Sequence, residues 1–298
     1  MIVQGPDRPR VLAVVAGGPG ADAAGGPGAD ETGPPALSPL DLGLVRGEAA
    51  FETMRVYGGR PFRLDAHLAR LASSAAGLDI GVPHGLEALC DRALEMAGAG
   101  EAVLRLICTR GIEGDFASTA FAIVSEVPTS YDLERRRGLR LALLTLAVDP
   151  LVRAAAPWLL PGVKSISYAV NMAAQRAAQR MGADDAVFTG LGGELLEGPT
   201  ANLWWRSGST LYTPSLDLGI LAGVTRLTLL ELAAPSGYRV VEGVFTAEDL
   251  LGADEAFTSS STREVMPVAT VNGEAVGDGV PGEATAALQE ALRRRARG

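Results

Sequence analysis

Strand-like and helix-like stretches are interleaved along this chain without a regular strand–helix–strand alternation. That irregularity is what most constrains the fold. Regular alternation builds a parallel sheet wrapped in helices, whereas irregular interleaving points to an α+β architecture. A second signal divides the pattern. The stretch DPLVRAAAPWLLP, Asp149–Pro161, has proline near each end and reads as a connection rather than a regular element. Two domains are therefore expected. A smaller N-terminal α/β domain covers residues 1–148, a linker 149–160, and a larger domain of β meander with helices 161–298. At 298 residues the chain has ample core for both.

In the first part, residues 17–35 read GGPGADAAGGPGADETGPP, with GGPGAD occurring twice. This Gly/Pro-rich run has no apolar periodicity and predicts a flexible insertion after a first strand at Val11–Val15. Ala50–Val56, the turn Tyr57-Gly58-Gly59-Arg60 and Pro61–Leu64 carry a β-hairpin pattern. Asp65 is a good N-cap for a helix bearing Leu68, Leu71, Ala75 and Leu78, and a second helix is expected over Leu86–Ala97. Strands follow at Ala102–Thr109, Thr119–Val127 and Leu139–Ala147, and the basic run Arg135, Arg136, Arg137 reads as a solvated face. In the second part, a helix over Tyr168–Met181 ends at Gly182. The short segments DAVFTG, GELLEG, NLWWRS and STLYTP predict an antiparallel meander. Further helices are expected in ILAGVTRLTLLELAA, in TAEDLLGA opened by Thr246, and over Glu283–Arg295.

Composition narrows the function. The net charge of −9 lacks the basic surface of a nucleic-acid binder. The two cysteines, Cys90 and Cys108, have no close spacing, which argues against a disulfide scaffold and fits a reducing cytoplasm. With only two histidines, His67 and His84, a His-built metal site is not expected. The apolar run VLAVVAG is too short for a membrane span. A small-molecule substrate or another subunit is the expected partner.

One lysine stands out. Of the 26 Lys and Arg residues, all but Lys164 are Arg. A coding bias toward Arg could leave one lysine by chance. The chemical alternative is that Arg stays protonated, whereas a lysine amine can lose its proton, act as a base and form a Schiff base. Lys164 follows a Pro-Gly turn and precedes a helix. Glu197, before Gly198 and Pro199, is a carboxylate at a strand end. In LAGVTR, Thr225 reads as the N-cap of a helix whose first N–H groups suit a phosphate. Ser259, Ser260, Ser261 and Thr262 form a hydroxyl-rich loop, and Arg70 in HLARL offers a fixed charge with a fork of donors. Taken singly, each reads as a cap, loop or surface charge. Together, an amine, a carboxylate and phosphate-cradling elements describe a pyridoxal 5′-phosphate site.

The stretches FETMRVYGGRPFRLDAHLARL, VKSISYAVNMAAQRAAQRMGADDAVF, ELLEGPTANLWW, ILAGVTR and DEAFTSSSTREVMPV occur in the order and spacing of the class IV, fold-type IV pyridoxal-phosphate enzymes. The chain resembles that family, which includes branched-chain aminotransferases, D-amino-acid aminotransferases and aminodeoxychorismate lyases. The resemblance implies that Lys164 forms the Schiff base and shuttles protons, and that Glu197 pairs with the pyridine nitrogen. It implies that Arg70, Val224, Thr225 and Ser261 hold the phosphate, Val224 through its backbone, with Tyr168 near the phenolic oxygen. Asn202 matches a family Asn, with a structural role in its turn or a direct role in the site. Glu52, Arg110 and Arg46 fall at positions associated with substrate, Glu52 where enteric lyases carry Thr and Arg46 where branched-chain aminotransferases carry Tyr. A homodimer is implied.

PWLLPGVKSISYAVNMA and Met266–Val268 look like the aminodeoxychorismate lyases. That likeness implies release of pyruvate from 4-amino-4-deoxychorismate to leave 4-aminobenzoate, a folate precursor. The alternative is an aminotransferase acting on branched-chain or D-amino acids with a 2-oxo acid acceptor. A catalytically silent, cofactor-binding relative is a third reading, against which Lys164 and Glu197 together speak.

Overall fold

A computed structural model of the chain describes residues 9–17, 37–98, 100–115 and 117–298. Apart from Gly17, the expected insertion at 17–35 lies outside the described residues. These fall into two compact units. One holds the described residues up to Pro128 together with Val163–Ser167, the other Thr129–Gly162 and Tyr168–Gly298.

The smaller unit is built on β1 (Val11–Gly17), β2 (Ala49–Tyr57), β3 (Arg60–Pro61), β4 (Ala102–Thr109) and β5 (Thr119–Ser125). Their order is β1-β5-β4-β2-β3, and every pair is antiparallel. The β2–β3 turn needs positive φ at both central residues, and Gly58 (φ 56°) and Gly59 (φ 78°) supply it without a side-chain penalty. Helices α1 (Leu42–Val45), α2 (Leu64–Ala76) and α3 (Leu86–Ala97) complete the unit. Leu71 and Ala75 of α2 and Cys90 and Ala93 of α3 pack with Met54, Leu104, Leu106 and Val124 of the sheet, giving one continuous core. Arg63, at φ 54°, is the N-cap of α2. Asp65 sits one step inside, where its charge favours the helix N-terminus without capping it.

The larger unit contains α4 (Ser130–Arg137), β6 (Leu139–Thr145), α5 (Pro150–Ala154), α6 (Ala169–Arg180), β7 (Asp185–Thr189), β8 (Asn202–Ser207), β9 (Thr210–Pro214), α7 (Val224–Ala233), β10 (Arg239–Gly243), α8 (Ala247–Leu251), β11 (Glu255–Ser260), β12 (Glu264–Val271), β13 (Glu274–Ala275) and α9 (Glu283–Arg297). The sheet order is β10-β9-β8-β11-β12-β6-β7, with β13 on β12. Trp204 packs with Phe257, Leu229 and Leu288 in one cluster, whereas its neighbour Trp205 packs with Met266 and Leu250 in another. Successive β8 side chains thus serve opposite faces of the sheet.

Three expectations change. The division falls after Pro128 rather than at 148, because β6 lies between β12 and β7 and belongs to the larger sheet. Residues 149–160 are not a bare linker. Asp149 accepts from the backbone N–H groups of Leu151 (2.9 Å) and Val152 (3.1 Å) and caps α5, and a 3-10 turn follows at Pro157–Leu159. The antiparallel meander is only partly present. β7 pairs parallel with β6, and GELLEG contributes a single bridge, Thr189↔Leu195. All five β7 residues are buried, so no alternation of buried and exposed positions marks it, as is usual for strands of parallel sheet. Thr246 opens α8, as its sequence predicts, and its backbone N–H donates to the Asp249 carboxylate at 2.8 Å. No helix among the described residues is long and apolar enough to cross a membrane.

Candidate active site

Lys164 belongs to the smaller unit. Val163–Ser167 runs beside β2. Phe51 N–H donates to the Lys164 carbonyl (3.1 Å), Ile166 N–H donates to the Ala49 carbonyl (2.9 Å), and Ala50 bridges Ser165. Lys164 N–H donates to Ser74 Oγ on α2 at 3.1 Å. The root of the side chain is thereby tied to a strand and a helix. Its Nζ lies 4.0 Å from the centre of the Phe51 ring, within cation–π range.

One residue along, Glu52 is fully buried. Its Oε1 accepts from Arg70 Nε (2.8 Å), and its Oε2 accepts from Arg70 Nη2 (2.7 Å) and faces His67 Nδ1 (2.6 Å). Burial pushes the Glu52 carboxyl up, but the hydrogen bonds and charges of Arg70 and His67 outweigh it and bring it down to about 2. Burial pushes the His67 imidazole below its ordinary value, and the Arg70 and Lys164 charges act in the same direction. An ionised Glu52 only accepts, so the hydrogen between them sits on Nδ1. Both carboxylate oxygens of Glu52 are thus engaged inside the unit. Arg70, assigned to the phosphate from the sequence, lays its fork on Glu52. Arg110 is ion-paired with Glu48 and donates to the Leu78 carbonyl, and Arg46 is exposed at the C-cap of α1.

The larger unit holds the remaining candidates. Glu197 Oε1 accepts from the Leu221 N–H (3.0 Å) and Oε2 from Asn202 Nδ2 (3.2 Å). The same Asn202 amide donates to the Leu221 carbonyl at 2.9 Å. These bonds join Glu197 to the segment that leads into α7. That helix begins at Val224, with Gly223 rather than Thr225 as its N-cap. Thr225 is the second helical residue. A Cβ on Gly223 would come within 2.1 Å of Asn202 Oδ1, so only glycine allows this approach. The N-cap has no side-chain hydrogen bond, and Val224 and Thr225 are both buried. First-turn N–H groups have no intrahelical acceptor, so an uncapped, buried helix start is matched to an anion such as phosphate. Ser261 lies in the three-residue turn between β11 and β12, whose ends pair as Ser260↔Glu264. Tyr168 is the N-cap residue of α6, its carbonyl accepting from Met172 N–H at 2.9 Å.

Sequence reasoning missed Phe51, His67 and the Leu221 N–H. The spacing of His67 and Arg70, three apart on one helix, could have exposed His67 as a neighbour of the acid that Arg70 holds. Nothing in the sequence signals a backbone donor such as Leu221.

These residues fit pyridoxal phosphate by their chemistry. The chain offers one lysine amine, a carboxylate oriented by two donors, and a bare helix N-terminus beside a hydroxyl. Comparison with known proteins agrees. Residues 49–271 match the profile of the family described as Amino-transferase class IV. A bifunctional aminodeoxychorismate lyase / D-amino acid transaminase of Mycobacterium tuberculosis is 36% identical over 78% of this chain and 85% of its own. An aminodeoxychorismate lyase of Bacillus subtilis is 34% identical over 85% of this chain and 87% of its own. The solved PLP-bound form of a hypothetical aminotransferase from Mycobacterium tuberculosis superposes with a TM-score of 0.82 at 33% identity, covering 89% of this chain and 94% of that one. Further matches are named for branched-chain and D-alanine aminotransferases and for a fold IV-transaminase. This chain belongs to the pyridoxal-phosphate-dependent class IV aminotransferase family, with its fold-type IV architecture.

Proposed function

We propose that the protein is an aminodeoxychorismate lyase, converting 4-amino-4-deoxychorismate into 4-aminobenzoate and pyruvate. The observation that carries this reading is its likeness, at 36% and 34% identity, to two relatives named for that activity. When bound, pyridoxal phosphate supplies an aldehyde that captures the substrate amine and a ring that accepts the electron pair left at the reacting carbon. Lys164 Nζ takes the proton from ring carbon 4 of the substrate. The ring becomes aromatic as its bond to the enolpyruvyl oxygen breaks. The same amine returns a proton to the methylene carbon of the departing group, which leaves as pyruvate. Glu197 holds a proton at the cofactor's ring nitrogen, its carboxylate aimed by Leu221 and Asn202. The first N–H groups of α7 and the hydroxyls of Thr225 and Ser261 would hold the phosphate, and Arg70, whose Nε and Nη2 lie on Glu52, would add its positive charge. Tyr168 donates near the phenolic oxygen.

Purified protein given aminodeoxychorismate and no 2-oxo acid is expected to release 4-aminobenzoate and pyruvate in equal amounts. Absence of both, with conversion of 2-oxoglutarate to glutamate from an amino donor, sinks the lyase reading. The second reading is that of a D-amino-acid aminotransferase, and it has support of its own. The Mycobacterium tuberculosis relative is named for both activities. The same protein given D-alanine and 2-oxoglutarate tests it.

A further inference from the structure

The turn that carries Ser261 is followed by an unusual residue. Glu264 begins β12 with φ at 61°, in the left-handed region that side chains other than glycine and asparagine rarely adopt. It is also 1% exposed, and a buried carboxylate in such a backbone persists only where the surroundings fix it. They do so from two helices. From α9, Gln289 Nε2 donates to Oε2 (2.6 Å), while Arg293 donates through Nε to Oε1 (3.1 Å) and through Nη2 to Oε2 (2.8 Å). From α4, Arg135 Nη2 donates to Oε2 at 2.9 Å and to the Arg263 carbonyl at 2.9 Å. Gln289 Oε1 in turn accepts from Val265 N–H at 2.8 Å.

Thr262 and Arg263 of the turn are gripped from α4 and β7. Tyr131 of α4 donates its hydroxyl hydrogen to Thr262 Oγ1 at 3.4 Å, and Arg263 pairs with Asp185 at 2.5 Å and with Glu134 of α4 at 3.9 Å. Thr262, Arg263 and Glu264 are thus each anchored to α4, two of them with a further hold on α9 or β7. The basic run at Arg135–Arg137, which the sequence offers as a solvated face, supplies part of this grip. Arg135 is tied to Glu264, and Arg137 pairs with Asp184 at 2.6 Å.

We propose that Glu264 is a positioning residue for the cofactor phosphate. With Arg135, Gln289 and Arg293 it locks the β11–β12 turn in the one backbone shape that presents the Ser261 hydroxyl and N–H to the anion. The inference rests on the assignment of Ser261 to the phosphate. It adds that the affinity of this turn is set by a buried charge cluster that does not touch the ligand.

The test uses the full-length protein stripped of cofactor and titrated separately with pyridoxal phosphate and with pyridoxal, which lacks the phosphate, by absorbance. Glu264→Gln keeps shape and one acceptor but removes the charge. Arg293→Gln, at a partly exposed partner, gives a second variant that leaves Glu264 in place. Each is expected to weaken pyridoxal phosphate by about tenfold, the order of one charge-assisted hydrogen bond, while changing pyridoxal by less than about twofold. A merely structural role lowers the melting temperature but moves both ligands together or neither. Ser261→Ala, titrated the same way, separates the two layers. If it weakens pyridoxal phosphate selectively while folded Glu264→Gln and Arg293→Gln do not, the positioning role is overturned and the phosphate assignment stands. If Ser261→Ala has no selective effect, both fall.

Discussion

The two units hold their proposed chemical groups in opposite ways. In the smaller unit Lys164 is fixed at its root. Its backbone is bonded to β2 and α2, and four methylene groups carry the amine out to the Phe51 ring. In the larger unit Glu197 is fixed at its tip, each carboxylate oxygen accepting from a named donor, and the start of α7 is backbone throughout. The difference follows from the tasks. A group that carries a proton between two atoms needs reach from a stable base. A group that faces a standing charge gains most when its dipoles are already in place.

That contrast is broken most directly at Lys164. Lys164→Arg keeps the charge and the length but loses the removable proton. Turnover is expected to fall by about a thousandfold or more, the scale of lost acid–base catalysis, read as steady-state pyruvate or glutamate release. A variant that keeps a tenth of the rate would return the lone lysine to an accident of composition. Glu197→Gln is the next step down. The amide keeps the shape and can still accept from Leu221, but it carries no charge for the ring nitrogen. A loss of about 10- to 100-fold in kcat is expected, the worth of one hydrogen bond to a charged group, with pyridoxal phosphate still bound. Equal losses in Lys164→Arg and Glu197→Gln would erase the distinction between a moving and a standing group.

Much of this was legible in the sequence, and unevenly so. The strands of the smaller unit are legible where β5 alternates between buried and part-buried positions and where the β2–β3 turn carries its own chemistry at Gly58 and Gly59. In the larger unit, the sequence suggests a meander strand at β7 because a buried parallel strand shows no alternation and its partner β6 lies far back in the chain. The types of the site residues were legible, since amine, carboxylate and hydroxyl are chemistry written in letters. Their partners were not. The carboxylate of Glu52 is enclosed by His67 and Arg70, a contact of strand with helix of which the sequence shows only the helical half, two residues three apart on one face. Thr225 looks like an N-cap in the sequence because hydroxyls prefer that position, whereas the close approach of Asn202 puts Gly223 there instead.

The Glu52 cluster supplies the smallest expected effect, on stability rather than rate. Its carboxyl drops from 4.5 unfolded to about 2 folded, so the folded state resists taking up a proton that the unfolded chain accepts. At about 1.4 kcal/mol per unit, this contributes at most about 3.5 kcal/mol, present above pH 4.5 and lost as pH falls toward 2. His67 acts earlier on the scale. Its folded value lies below 6.5, so the unfolded chain binds the proton first and stability declines once pH drops beneath 6.5. Denaturant midpoints measured between about pH 8 and pH 5 should therefore fall in the wild type. His67→Gln retains a donor for Glu52 but cannot titrate, and it should flatten that limb while leaving the steeper loss below about pH 4.5. An unchanged slope in His67→Gln would mean that the buried pair is not what makes the smaller unit acid-sensitive.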